Sequence, residues 1–178
     1  MSEQSNALRG GEFLIRETSA DAIFIPEEWT EEQLMMKQMT LDFVEQRIIP
    51  NLERIEQQED GLVPKLMEEA GELGLIGSSV PEELGGMGLD FKSTMLITEA
   101  IGGAHSFSVS FSAHTGIGTL PILYYGNDKQ KKQWIPGLAS GQLKGCYCLT
   151  EPSAGSDANN GKTTAKLTED GQHYLING

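Results

Sequence analysis

Cysteine is nearly absent from this sequence: Cys146 and Cys148 are the only two. A single such pair is no disulfide framework, and without a nearby histidine it does not complete a zinc set. The two lie on one face of the segment if that segment is a strand. Basic residues are also scarce, with 13 Lys and Arg against 26 Asp and Glu, a formal charge of -13. Phosphate binding needs clustered cations, so nucleic acid is excluded as a partner. The same charge argues against docking on an anionic membrane surface. No apolar run approaches the ~20 residues of a transmembrane segment, and the opening MSEQSNALRGGEF has no hydrophobic signal core. A reducing cytoplasm is the expected setting. What the sequence does have is 38% hydrophobic and 22% charged residues over 178 positions, enough to build the core of one domain, or of one domain and part of another.

Breakers and periodicity divide the chain. Residues 1–29 are an irregular extension punctuated by Gly10, Gly11 and Pro26. Thr30 and Gln33 have the spacing of a capping box. Met36, Met39 and Phe43 then form one stripe of a helix, widened by Leu41, Val44 and Ile48; Met35 is also assigned to its core. Pro50 should kink or end this helix, with Leu52 and Ile55 marking its return. A second helix is expected over 64–73, with Leu66, Ala70 and Leu73 on one face and Gly74 as its cap. Asp90 should cap a third helix that reaches Ile101 and breaks at Gly102 and Gly103. The alternation of Phe107, Val109, Phe111 and Ala113 with polar residues reads, by period alone, as a strand. Asn127 and Gln130 form a second capping box, for a helix ending near Pro136 and Gly137. After Gly141 the composition changes: GCYCLT has the character of a buried strand, and TTAKLTEDGQHYLING reads as a hairpin around Asp170 and Gly171. The class is therefore α+β, with a helical domain over 30–140 and the first part of a β-domain over 141–178. Asn177 and Gly178 signal another turn, so a further strand is expected and the chain is read as truncated.

Residues 147–157 offer the best chemistry. A strand ending at Thr150 runs into a loop of small residues, where backbone N–H groups can approach an anionic or carbonyl-rich ligand without side-chain clash. Thr150, Ser153 and Ser156 add hydroxyls, which makes a polar cradle at a strand end. An ordinary strand-to-loop turn has the same composition. Other features have plainer readings. Gly85, Gly86, Met87 and Gly88 lack the lysine and spacing of a nucleotide loop and read as a turn. His105, His114 and His173 are scattered with no nucleophile setting, and His114 reads as structural. Lys129, Lys131 and Lys132 read as a solvated face.

The segment CLTEPSAGSD closely resembles the signature of acyl-CoA dehydrogenases. KLMEEAGELGLIGSSVPEELGGMGLD, GTLPILYYGNDKQKKQWIPGLASGQLKG and HYLING resemble other stretches of that family in the same order, so the resemblance covers residues 30–178. GGEFLI and IPEEWTEEQ in the N-terminal lead resemble the long-chain and very-long-chain branch. One departure is Asn160 followed by Gly161, where the family has a small residue one position earlier; this shifts the end of the loop. The resemblance implies a helical domain, a middle β-domain and a second helical domain that this chain lacks. It places 107–113 on a helix, against the period reading, and the helix is adopted; its alternate serines keep it slim enough to leave room for an acyl chain. It implies FAD contacts from Tyr147, Cys148, Leu149, Thr150, Glu151, Pro152, Ser153, Ala154, Gly155 and Ser156, with the Thr150 hydroxyl at the pyrimidine edge of the flavin and Ser156 where acyl-CoA enters. Glu151 is expected to be architectural, and Asp157 to hold the loop through local backbone bonds. The implied activity is α,β-dehydrogenation of long-chain acyl-CoA to trans-2-enoyl-CoA in β-oxidation. The catalytic base is a glutamate in the missing region, so no catalytic residue is expected in this chain, and no metal. Electron-transferring flavoprotein is the implied acceptor and a homo-oligomer the implied assembly. An acyl-CoA oxidase of the same architecture and a non-catalytic helical interaction module are the alternatives.

Overall fold

The computed structural model describes residues 11–19 and 28–178. Gly10 and Pro26, the outer breakers of the N-terminal extension, lie outside the described residues. Helix α1 spans Glu31–Phe43 and starts as its capping box requires. The Gln33 amide donates to Thr30 Oγ1 at 3.2 Å and the Thr30 amide to Gln33 Oε1 at 3.1 Å. Gln33 also donates to Ser93 Oγ and Lys37 pairs with Glu99, which joins α1 to α4 (Phe91–Ile101). Met36 and Met39 are half-buried, but Met35 is 72% exposed and is not a core residue.

Pro50 has the expected effect by an unexpected route. A wide π-turn, Val44–Ile48, and a 3-10 turn, Ile49–Asn51, carry the chain past it into α2, Leu52–Glu56. Proline has no N–H to give and its ring crowds the carbonyl one turn back. The wide turn bridges that gap, and the Asn51 side chain donates to the Arg47 carbonyl at 2.8 Å.

Helix α3, Leu62–Glu72, begins two residues before the expected 64, after Gly61 at φ 74°. Its buried face holds Leu62, Leu66, Met67 and Ala70, while Leu73 is 40% exposed and falls outside it. Gly74, at φ 77°, closes the helix as expected: Leu75 N–H donates to the Ala70 carbonyl and Gly74 N–H to that of Gly71, the paired bonds of a Schellman end. Asp90 caps α4 through the Ser93 amide at 2.8 Å, and the Ser93 hydrogen bonds hold its carboxyl below the ordinary aspartate range.

Residues 107–113 are helical, within α5, Ser106–Ala113. Phe107 and Phe111, four apart, are buried, while Val109 between them is 68% exposed. A strand would have buried all three on one face. Phe107 meets Phe43 of α1 with ring centroids 6.0 Å apart, at the centre of the main core built from Ile48, Leu66, Ile97 and Ile101. A second wide turn, His114–Gly118, leads to α6, Leu120–Tyr125. Helix α7, Asp128–Ala139, has the capping box at Asn127 but runs through Pro136 rather than ending there. Burial of Ile135, Leu138 and Ala139 against Val80 and Leu123 offsets the bond that proline forfeits.

Only one hairpin follows among the described residues. β1, Thr164–Leu167, pairs antiparallel with β2, Tyr174–Asn177, with Leu167 opposite Tyr174. Gly171 at φ 67° sits in the turn, as the sequence suggests, and Thr168 and His173 close the loop. The arrangement is helical domain first, small antiparallel sheet second, consistent with α+β.

Candidate functional site

The connector that leaves α7 is fixed before it reaches the loop. The Lys144 ammonium bonds the Glu68 carboxylate. The Gly145 amide donates to His114 Nδ1 at 2.9 Å, and His114 Nε2 meets the Leu138 carbonyl at 2.9 Å. The expected structural role of His114 agrees with this: it is 2% exposed and both ring nitrogens have partners. Burial pushes its pKa down, outweighing the raising effect of the Leu138 carbonyl, and the nearby Lys144 charge acts in the same direction as burial.

Residues 146–150 are not a buried strand. They form no ladder, and Tyr147 and Leu149 are 53% and 46% exposed. An apolar extended run becomes a strand only when another backbone pairs with it, and no described strand lies beside this one. Cys146 and Cys148 are free and exposed. Among the described residues no group of three or more His, Cys, Asp or Glu side chains is gathered for a metal.

At Glu151 the chain folds back on itself. The amides of Glu151 and Ala154 each donate to the other's carbonyl at 3.1 Å, and Ala154 is 2% exposed. The Glu151 carboxylate accepts from the Lys162 amide at 2.6 Å and the Thr163 amide at 3.1 Å. Hydrogen bonds from the Thr163 side chain, then from the Lys162 and Thr163 amides, hold its carboxyl below the usual glutamate range. Such a group is an ionised strut for the loop and a poor proton donor. Asp157 does less than expected: its main-chain carbonyl accepts from the Asn160 amide, but its side chain does not cap the 3-10 turn Ala158–Asn160. That turn contains Asn160, the position at which the sequence departs from the signature. Thr150, Pro152, Ser153, Gly155 and Ser156 are exposed. The amides of 146–150, 153, 155 and 156 make no backbone hydrogen bond among the described residues. A Cβ at Gly155 would meet nothing within 4 Å.

A cavity of about 370 Å³ lies beside α5, the helix expected to leave room for an acyl chain; what the sequence does not show is that α3 and the connector form its other walls. Val63 and Met67 form one wall, Val109, Ser110 and Ala113 another, and Cys146 lies at its edge. Its signal was the small-residue side of α5. The Gly85–Gly86–Met87–Gly88 stretch, by contrast, is the expected turn. Its four amides and that of Leu89 donate to the carbonyls of Glu82, Pro81, Gly77, Val80 and Ser78, which leaves none for a phosphate.

The N-terminal-domain profile of acyl-CoA dehydrogenases matches residues 30–142. The chain belongs to the acyl-CoA dehydrogenase family. A probable acyl-CoA dehydrogenase of Bacillus subtilis (strain 168) is 48% identical over 170 residues, 96% of this chain and 29% of the relative. The short-chain specific acyl-CoA dehydrogenase of Rattus norvegicus mitochondria is 34% identical over 174 residues, 97% of this chain and 40% of the relative. A crystal structure of acyl-CoA dehydrogenase complexed with FAD from Bacillus anthracis superposes with a TM-score of 0.91 at 47% identity, over 97% of this chain and 30% of that one. The chain thus spans between about 29% and 40% of the length of these relatives. Membership of the long-chain branch finds no support among them, because the one whose name specifies a chain length is a short-chain enzyme.

Proposed function

We propose that this chain is the part of an FAD-dependent acyl-CoA dehydrogenase that binds one edge of the flavin and seats part of the acyl chain. The observation that carries this reading is the loop at 150–156: exposed hydroxyls at Thr150, Ser153 and Ser156 stand beside main-chain amides with no backbone partner, on a strut made by Glu151. These residues fit a flavin. Residues 147–156 would line it, with Thr150 donating to the pyrimidine edge. Bound FAD supplies the hydride acceptor for dehydrogenation of the thioester. The chain's own donors stabilise negative charge at that edge, which tunes the potential. Ser156 would meet the acyl-CoA as it enters. The α-proton needs a base, and Glu151 is not suited to it, since the Lys162 and Thr163 amides occupy both of its oxygens and weaken its basicity.

The cavity beside α5 supports an acyl-chain seat, with Val109, Ser110 and Ala113 leaving the space. Its apolar walls favour long chains, at roughly 0.8 kcal/mol per buried CH₂. Reoxidation by an electron-transferring flavoprotein, homo-oligomeric assembly, a place in fatty acid β-oxidation and a cytoplasmic setting belong to the same reading. Free cysteines and the absence, among the described residues, of a helix long and apolar enough to cross a membrane are compatible with that setting.

The test uses the full-length protein. It should purify yellow and bleach anaerobically with acyl-CoA, with enoyl-CoA as product and affinity that rises from butyryl- to palmitoyl-CoA. A colourless protein that takes up no FAD would overturn the flavin reading. A profile peaking at four carbons would remove only the chain-length part, and rapid reoxidation in air with peroxide release would move the assignment to an oxidase.

A further inference from the structure

We propose that His114 is a positioning residue that fixes the point at which the connector leaves the helical domain, and so sets the register of the loop at 150–156. The Leu138 carbonyl can only accept, so His114 Nε2 donates; the Gly145 amide can only donate, so Nδ1 accepts. One neutral tautomer satisfies both partners. The ring therefore ties the end of α7 to the residue five positions before Thr150. Beside it, Gly118 and Gly145 cross backbone to backbone: a Cβ on Gly118 would lie 2.7 Å from the Gly145 carbonyl carbon, and one on Gly145 would lie 3.0 Å from that of Gly118. His114 and Gly118 are the two ends of the wide turn His114–Gly118, and the Thr119 hydroxyl holds that turn by donating to the His114 carbonyl at 2.7 Å. The tie and the crossing together leave the connector one path.

A proton added at Nδ1 would set two donors face to face and break the Gly145 bond. Burial and the Lys144 ammonium, itself paired with Glu68, both oppose that proton; the Cys146 thiol is the other titratable group lining the adjoining cavity. The Leu138 carbonyl favours it. The tie holds at neutral pH and opens only below the ordinary histidine range.

The inference rests on the flavin reading for its consequence but not for its geometry, and the test separates the two. In the full-length protein, His114→Phe fills the space without an acceptor, whereas His114→Asn keeps an acceptor at the δ position and does not titrate. The Phe variant should raise hydrogen exchange at Gly145, whose amide loses its acceptor, and the rate of FAD release by roughly tenfold, the size of one lost hydrogen bond. The Asn variant should restore protection of Gly145 and keep it as pH falls, while the wild-type protein loses it in acid. Wild-type protection and FAD release in the Phe variant would overturn the proposal, as would equal losses in the Phe and Asn variants. Loss of protection in a protein that binds no FAD would leave the tie standing and sink the flavin reading.

Discussion

Glu151 stands at a place in the loop where a carboxylate invites a catalytic reading, yet its oxygens are taken by the Lys162 and Thr163 amides. Its pKa lies below the unfolded value, so the strut is fully present above the ordinary glutamate range and is lost as pH falls through the lower, folded value. Hydrogen exchange at Lys162 and Thr163 should follow that course in the wild-type protein. In Glu151→Gln their protection, taken relative to intrinsic exchange, should be lower at neutral pH and constant across the acid range; unchanged protection would remove the strut. Thr150 carries the opposite expectation. Thr150→Val keeps the shape and deletes one hydroxyl, so in the full-length protein the flavin potential should fall and FAD should be held less tightly. A bond to the charged, reduced ring contributes about 1.5–3 kcal/mol, and a redox titration beside a thermal melt reads it. An unchanged potential with a lowered melting temperature would make Thr150 an ordinary turn residue. Much at this scale is legible in the sequence: the signature marks the loop, and it marks Glu151 as architectural. The role expected of Asp157 is not, because a carboxylate placed before a turn can cap it, and the sequence does not show that this one leaves the amides of Ala158–Asn160 uncapped.

At the scale of elements, both capping boxes are readable because capping is local chemistry within four residues. Asn127→Ala should cost about 1 kcal/mol, measured by urea unfolding, and an effect near zero would mean that burial of Ile135 and Leu138 fixes α7 without its cap. Phe107→Ala should cost about 3–5 kcal/mol, since Phe107 is fully buried between Phe43 and Phe111. The same buried pair explains why alternation misleads at α5: two phenylalanines four apart satisfy a helix, and the exposed Val109 only imitates a strand. The end of α7 is misplaced by sequence for the converse reason. A rule that stops helices at proline gives way where packing on Val80 and Leu123 outweighs the single backbone bond forfeited at Pro136.

At the scale of the whole molecule, the hairpin presents a continuous apolar run to solvent, with Tyr174, Leu175 and Ile176 each at least 66% exposed. Prepared by itself, the 178-residue chain should bind a hydrophobic dye and self-associate as concentration rises, and a Leu175→Lys, Ile176→Lys variant should suppress both. A monodisperse, dye-free chain would refute this. The division at 140/141 follows composition, and composition records which side chains are common, not which backbones touch. The contact of Gly118 with Gly145 crosses that division. It therefore constrains recombination between relatives: a chimera joined at 141 draws the two glycines from different parents, and it can fold natively only if both parents supply glycine there. A crossover placed after 145 inherits the pair from one parent and escapes the constraint.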